Sequence, residues 1–278
     1  MALFLRLSFL AVLLLPLGGC SGLFFYPMSD WVQNPARQDL AYEDVVLIHP
    51  DGLRLHGWWL PAETEEVRGT VYHLHGNAQN ISTHLMNVAW LPGEGYQVFL
   101  LDYRGYGLSE GEPSLPEVQQ DVQLGLDWLY RSERVEPPLI VFGQSLGASL
   151  TTSVVGQDAN QGKGDCVILE APFTGYRDIT RDIMRQSWVL WPFSFVVAPL
   201  IPDEGRPMDR VAGISPRPLL VMHSDEDEVI PFEHGRALFE AAEAPKTFQR
   251  LKGGHIQSAR SKDVQQRLLD FMATDCPR

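Results

Sequence analysis

"GQSLGA" at residues 143–148 places one serine between two glycines, directly after the apolar run "PPLIVF" at 137–142. Ser145 has a glycine two positions before it and another two positions after it. A turn that sharp leaves no room for side chains on its shoulders, and glycine tolerates the crowding. Gly-x-Ser-x-Gly between a strand and a helix is the nucleophile elbow, which lifts a serine hydroxyl above the edge of a sheet. A Gly/Ser-rich loop matches the same five residues by chance, so the rest of the chain decides.

On both sides of the elbow, apolar strands alternate with amphipathic helices. "DVVLIHPDGLRLHGWWLPA" (44–62) reads as a hairpin turning at Asp51-Gly52. "GTVYHLH" (69–75), "YQVFLLD" (96–102), "PLIVFG" (138–143), "CVILE" (166–170), "RPLLVMHS" (217–224) and "KTFQRLK" (246–252) read as strands. Between them, "NISTHLMNVAWLPGEG" (80–95), "LPEVQQDVQLGLDWLYRSE" (115–133) and "SLGASLTTSVVGQ" (145–157) read as helices. Two more are expected at about 232–242 and 258–272. This rhythm predicts an α/β fold with a mostly parallel central sheet flanked by helices. One segment breaks it. From Thr174 to Arg210 the chain is rich in proline and crowds Trp188, Trp191, Phe193 and Phe195 together. It is expected to be a small lid insertion over the carboxyl edge of the sheet, with those four aromatics as pocket walls.

Composition bounds the function. The chain has 278 residues, 45% hydrophobic and 21% charged, which suits one large α/β domain with a substantial core. A formal net charge of −13 with no basic stripe excludes nucleic acid as the expected partner. No CxxC or HExxH spacing is present, so neither a metal nor another cofactor is expected. "MALFLRLSFLAVLLLPLGGC" carries Arg6, an apolar run from Leu7 to Leu17, and then small residues, which is signal-peptide architecture. The run is shorter than the ~20 residues a membrane span needs. "LGGC" resembles the bacterial lipobox, which implies a signal peptide at 1–19 and lipidation of Cys20. A bacterial cell-envelope protein anchored in the membrane by lipid is therefore expected. Ser21, where enterobacterial lipoproteins retained inside carry Asp, favours the outer membrane; a periplasmic or secreted protein is the alternative. Residues 20–41 read as a tether and 42–273 as the domain. Cys166, in a strand, and Cys276, in the tail, are expected to stay unpaired.

A serine hydroxyl is a poor nucleophile until a base takes its proton, and that base is usually a histidine oriented by a carboxylate. The elbow fold orders these partners Ser, Asp/Glu, His. His255 ends a strand in the Gly-Gly turn of "KGGHIQS", whereas His223 lies within a strand and His234 at a helix start. The acid is open among Asp225, Asp227 and Glu170, each near a strand end. Contiguous like charges from Asp225 to Glu228 must mostly face solvent.

The chain resembles serine hydrolases of the α/β-hydrolase superfamily, in the branch with membrane-anchored depalmitoylase-like proteins. The motifs are "LHGNAQN" (74–80), "DYRGYGLSEG" (102–111), "GQSLGA" (143–148), "DEDEVIPFEHG" (225–235) and "GGH" (253–255). The resemblance implies Ser145 as nucleophile, His255 as base and Asp227 as acid, because the family places its acid two residues before a "VIP"-type run. It implies an oxyanion hole from the backbone N–H groups of Asn77 and Leu146. Gln144 falls where the family varies and Ser224 where glycine is frequent. Asp102 and Arg104 are expected to be scaffold. Together these readings predict a serine hydrolase acting on small-molecule carboxyl esters or acyl thioesters. A peptidase or amidase of the same fold and a non-catalytic envelope lipoprotein are the alternatives.

Overall fold

A computed structural model describes residues 24–256 and 261–277. Eight strands form one twisted sheet: β1 (Glu43–Ile48), β2 (Arg54–Leu60), β3 (Gly69–Leu74), β4 (Tyr96–Leu101), β5 (Leu139–Gln144), β6 (Cys166–Glu170), β7 (Leu219–Ser224) and β8 (Lys246–Leu251). Their order is β8-β7-β6-β5-β3-β4-β2-β1, and β2 alone runs against the rest. The Asp51-Gly52 turn joins β1 to β2 as expected, with Gly52 at φ +92°. β3, β5, β6 and β7 are buried along their whole length, as a parallel sheet covered on both faces requires.

The main helices are α1 (Glu117–Arg131), α2 (Leu146–Val155), α3 (Tyr176–Arg185), α4 (Phe232–Ala241) and α5 (Lys262–Thr274). One core layer packs α1 and α2 on the face that holds Tyr72, Phe99 and Val141. The other packs α5 on the face that holds Val71, Val98 and Ile140. The helix expected at 80–95 is instead one α turn, Ile81–His84, followed by 3₁₀ turns. Pro92 cannot continue an α-helix, and Gly95 at φ +88° reverses the chain into β4.

Two expectations change. Cys166 and Cys276 form a disulfide, with Cα atoms 5.4 Å apart. The last turn of α5 lies over β6, so Leu268, Phe271, Met272 and Cys276 share one core cluster with Cys166. Described residues before Tyr42, expected as tether, also pack against the domain. Phe25 is buried in the first core, Trp31 packs edge-on against Trp58, and Tyr26 pairs with Ala78 in a two-residue parallel bridge. The leader and Cys20 lie outside the described residues.

Candidate active site

The elbow sits where β5 meets α2. Ser145 has φ +53° and ψ −114°, a conformation rarely held by a residue with a side chain and characteristic of strained functional turns. Its N–H donates to the Glu170 carbonyl at 2.8 Å, which fixes the turn against the end of β6. The two glycines are required by contact. A Cβ at Gly143 would lie 2.4 Å from the Gly147 carbonyl oxygen, and one at Gly147 would lie 2.0 Å from the Leu74 carbonyl oxygen. Helix and strand thus approach as closely as backbone allows, and α2 begins directly after the serine. Leu146 is the first residue of α2, so its N–H has no acceptor within the helix.

The acid loop follows β7. Asp227 is buried, and its Oδ1 accepts the N–H groups of Val229 at 2.8 Å and Ile230 at 2.9 Å. Its Oδ2 accepts from His255 Nδ1 at 2.7 Å. A carboxylate only accepts, so this contact assigns the ring proton to Nδ1 and leaves Nε2 as the basic nitrogen. Burial pushes the Asp227 carboxyl up, but hydrogen bonds from His223, His255 and the Ile230 backbone outweigh it. They hold the carboxyl well below the ordinary range.

The structure separates the three candidate acids. Asp225 Oδ2 accepts from Arg250 Nε at 2.6 Å and Lys252 Nζ at 2.8 Å, in a surface ion cluster. Glu226 accepts the Gly253 N–H at 2.9 Å and so ties the acid loop to the histidine turn. Glu170 is buried under the elbow and accepts from Gln144 Nε2 at 2.7 Å. Burial pushes its carboxyl up to about 7; Gln144 opposes this, and the charge of Asp227 adds to it. His223 is buried behind the acid loop, with Nε2 3.0 Å from the Ile230 carbonyl and 3.5 Å from Asp227 Oδ2, and His234 bridges Thr174 and Asp182.

Ser145, Asn77 and Leu146 line one cavity of about 250 Å³, and Val229 and Ile230 of the acid loop border it. The opposite wall comes from the insertion: Ile179, Ile183, Met184, Leu190, Val197 and Ile201. Trp188, Trp191, Phe193 and Phe195, expected as pocket walls, are not among its lining residues and are exposed, Trp188 to 84%. The wall is aliphatic because Leu190, Val197 and Ile201 turn inward with Ser194 and Ala198, leaving the aromatics on the outer side.

Several residues within the motifs support the site in ways the sequence did not reveal. The Asn77 side chain donates to the Phe24 carbonyl at 2.6 Å and accepts from the Tyr26 N–H at 3.3 Å. The Tyr106 hydroxyl lies 2.9 Å from both the carbonyl and Oδ1 of Asn77, and the Tyr103 hydroxyl donates to the His75 carbonyl at 2.9 Å. With its side chain and carbonyl engaged in this way, Asn77 is oriented by two separate segments, the chain at Phe24 and Tyr26 and the loop that carries Tyr106. Asp102 and Arg104 are scaffold. Asp102 Oδ1 accepts the Ile81 N–H at 2.8 Å, and Arg104 forks onto the buried Asp121. Gln144 links His73, Asn87 and Glu170 in one buried network beneath the nucleophile turn.

An elbow serine, a part-buried histidine held by a buried aspartate and a sheet of this order define an α/β hydrolase. Residues 65–212 match the serine aminopeptidase S33 family, and the chain belongs to it. Escherichia coli (strain K12) YfhR is 34% identical over 257 residues, covering 90% of this chain and 86% of YfhR. The Danio rerio lysophosphatidylserine lipase ABHD12 is 29% identical over 215 residues, 72% of this chain and 53% of that protein. Among solved structures, the Pyrococcus furiosus esterase Pf2001 superposes with a TM-score of 0.75 at 18% identity, covering 91% of this chain and 98% of the esterase. That likeness is one of fold. The protein is an α/β hydrolase.

Proposed function

We propose that the protein is a serine hydrolase that cleaves carboxyl esters or acyl thioesters through an acyl-enzyme on Ser145. The observation that carries this reading is the cavity itself. Its lining includes the strained Ser145, Asn77 and Leu146 beside the acid loop whose Asp227 accepts from His255, which supports the reading. His255 Nε2 takes the hydroxyl proton as Ser145 Oγ bonds to the carbonyl carbon, and Asp227 stabilises the imidazolium that results. The N–H groups of Asn77 and Leu146 receive the developing oxyanion, a contribution of ~10²–10³ in rate. His255 then returns the proton to the leaving oxygen or sulfur, and water enters by the same route to release the acid. The aliphatic wall supports an acyl chain rather than a charged amine. Asp225 and Glu226, the acids beside the site, are already engaged by Lys252, Arg250 and Gly253.

The sequence at Cys20 supports anchoring of the mature chain by lipid in a bacterial envelope. The Cys166–Cys276 disulfide fits an oxidising compartment. The test is to label the purified protein with a fluorophosphonate and follow p-nitrophenyl ester hydrolysis alongside Ser145→Ala. Labelling and activity should vanish in the variant with its thermal melt nearly unchanged. Activity within about tenfold of wild type would remove Ser145 from the mechanism.

A further inference from the structure

The outer face of the insertion is an exposed apolar surface in an otherwise acidic, ordinarily charged protein. From Gln186 to Pro202 there is no charged residue, while the whole chain carries −13. Trp188, Trp191, Phe193, Phe195, Val196 and Leu200 are all 48% exposed or more. The inner face of the same short segment, through Leu190, Val197 and Ile201, lines the cavity beside Ser145. A segment apolar on both faces meets apolar surroundings on both. The inner face meets the cavity, and the outer face is left exposed.

We infer that this outer face is a membrane-docking surface that seats the cavity mouth against an uncharged bilayer surface, so that acyl substrates enter from the lipid. The patch is continuous with the mouth, because Leu190 and Ile183 are themselves about half exposed while lining the cavity. Tryptophan and phenylalanine favour the boundary between headgroups and acyl chains. Arg185 flanks the patch with its guanidinium 5.9 Å from the Phe195 ring, a cation at the rim rather than within it. The chain also arrives at this end of the molecule. Phe24 lines the cavity, and Cys20 is four residues before it, a reach of at most ~14 Å. An apolar leader or lipid at Cys20 therefore holds this edge of the molecule at the bilayer. The acidic net charge repels anionic headgroups, so the surface fits a zwitterionic lipid. This extends the hydrolase reading to where its substrate comes from, but the docking does not depend on activity.

The test uses the full chain reconstituted in phosphatidylcholine vesicles. Single cysteines at Trp188, Phe195 and the exposed Glu133 are labelled with an environment-sensitive fluorophore, with the unsubstituted chain as the labelling blank. Because all three positions are exposed, the fold should tolerate the changes. Spin-labelled lipid should quench positions 188 and 195 at least about twofold more than 133, as expected for an apolar face ~5–10 Å into the headgroup boundary. Aqueous iodide should do the reverse, and adding phosphatidylglycerol should not strengthen the effect. Equal iodide quenching at all three positions overturns the proposal. Shielding that follows protein-to-lipid ratio rather than lipid also overturns it, and assigns the face to a second copy of the chain. Fluorophosphonate labelling of the same samples reports the active site separately, so failure of docking and failure of the hydrolase reading are distinguishable.

Discussion

Replacing Asp227 with asparagine should cripple the enzyme while leaving it folded. Oδ1 of Asp227 holds the N–H groups of Val229 and Ile230, and an asparagine oxygen accepts both equally well. That orientation turns the new amide NH₂ toward His255 Nδ1, where Oδ2 now accepts at 2.7 Å. Two donors cannot face each other, so the ring proton moves to Nε2, the nitrogen that in the proposed mechanism must be free to take the serine proton. The imidazolium formed during turnover also loses its counter-charge. The expected loss is about 10⁴ in kcat, equivalent to about 5 kcal/mol of transition-state stabilisation. Asp225→Asn removes a surface carboxylate already held by Arg250 and Lys252, and should cost less than about tenfold. The assay is turnover of p-nitrophenyl butyrate with the rate of fluorophosphonate labelling as a second reading. If Asp225→Asn is the crippling change and Asp227→Asn stays within tenfold, the acid has been placed on the wrong residue of the loop.

Other consequences follow from the same geometry. The aliphatic cavity should raise kcat/KM about fourfold per added methylene, at ~0.8 kcal/mol each, until it is full. Val197→Trp should shift the optimum to shorter chains with acetate hydrolysis retained, whereas Trp188→Ala should leave the profile unchanged; a profile indifferent to position 197 would place the acyl chain elsewhere. Reducing the Cys166–Cys276 bridge, which spans 110 residues, should cost roughly 5 kcal/mol by the loop-entropy argument and lower the melting temperature by several degrees. An unchanged melt in reductant would contradict the pairing. Burial raises the Glu170 carboxyl to about 7 against an ordinary 4.5, so folding favours its protonated form. That contribution is complete below pH 4.5 and is lost as pH rises through 7. Denaturant titrations should show Glu170→Gln keeping stability that wild type loses between those values, with turnover reduced less than about tenfold; parallel pH profiles would refute the assignment.

The sheet and elbow were legible because both are local: strand runs, helical spacing and the Gly143–Gly147 frame need no distant partner. The choice among the acids was not local. What removes Asp225 is Arg250 and Lys252, brought alongside because β8 pairs with β7 in a register that sets Leu251 opposite Ser224. The disulfide depends on α5 crossing the sheet face over β6, which spacing alone does not reveal. The insertion misled for a related reason. Its prolines break helical periodicity, so composition showed an apolar segment but not which side chains faced the cavity. Phe24 and Tyr26 looked like tether because their partner is the side chain of Asn77, some fifty residues away.

Three carboxyl groups meet the end of adjacent strands β6 and β7, and the site works only if they behave differently. Asp225 meets two cations at the surface, which lower its pKa and leave it outside the chemistry. Asp227, buried two residues on, is kept charged by donors on both oxygens. Glu170, deeper still and close enough to feel the charge of Asp227, is pushed toward neutrality by burial. Two buried anions this close would repel each other and divide the pull on His255. Environments that push neighbouring carboxyls apart assign their roles, so the charge falls on the residue that touches the histidine. Gln144 works against that shift without overcoming it, donating to Glu170 while accepting from His73 and Asn87. The Gln at this position of the elbow is thus a structural partner that fixes the Glu170 carboxyl in place, while burial sets its protonation.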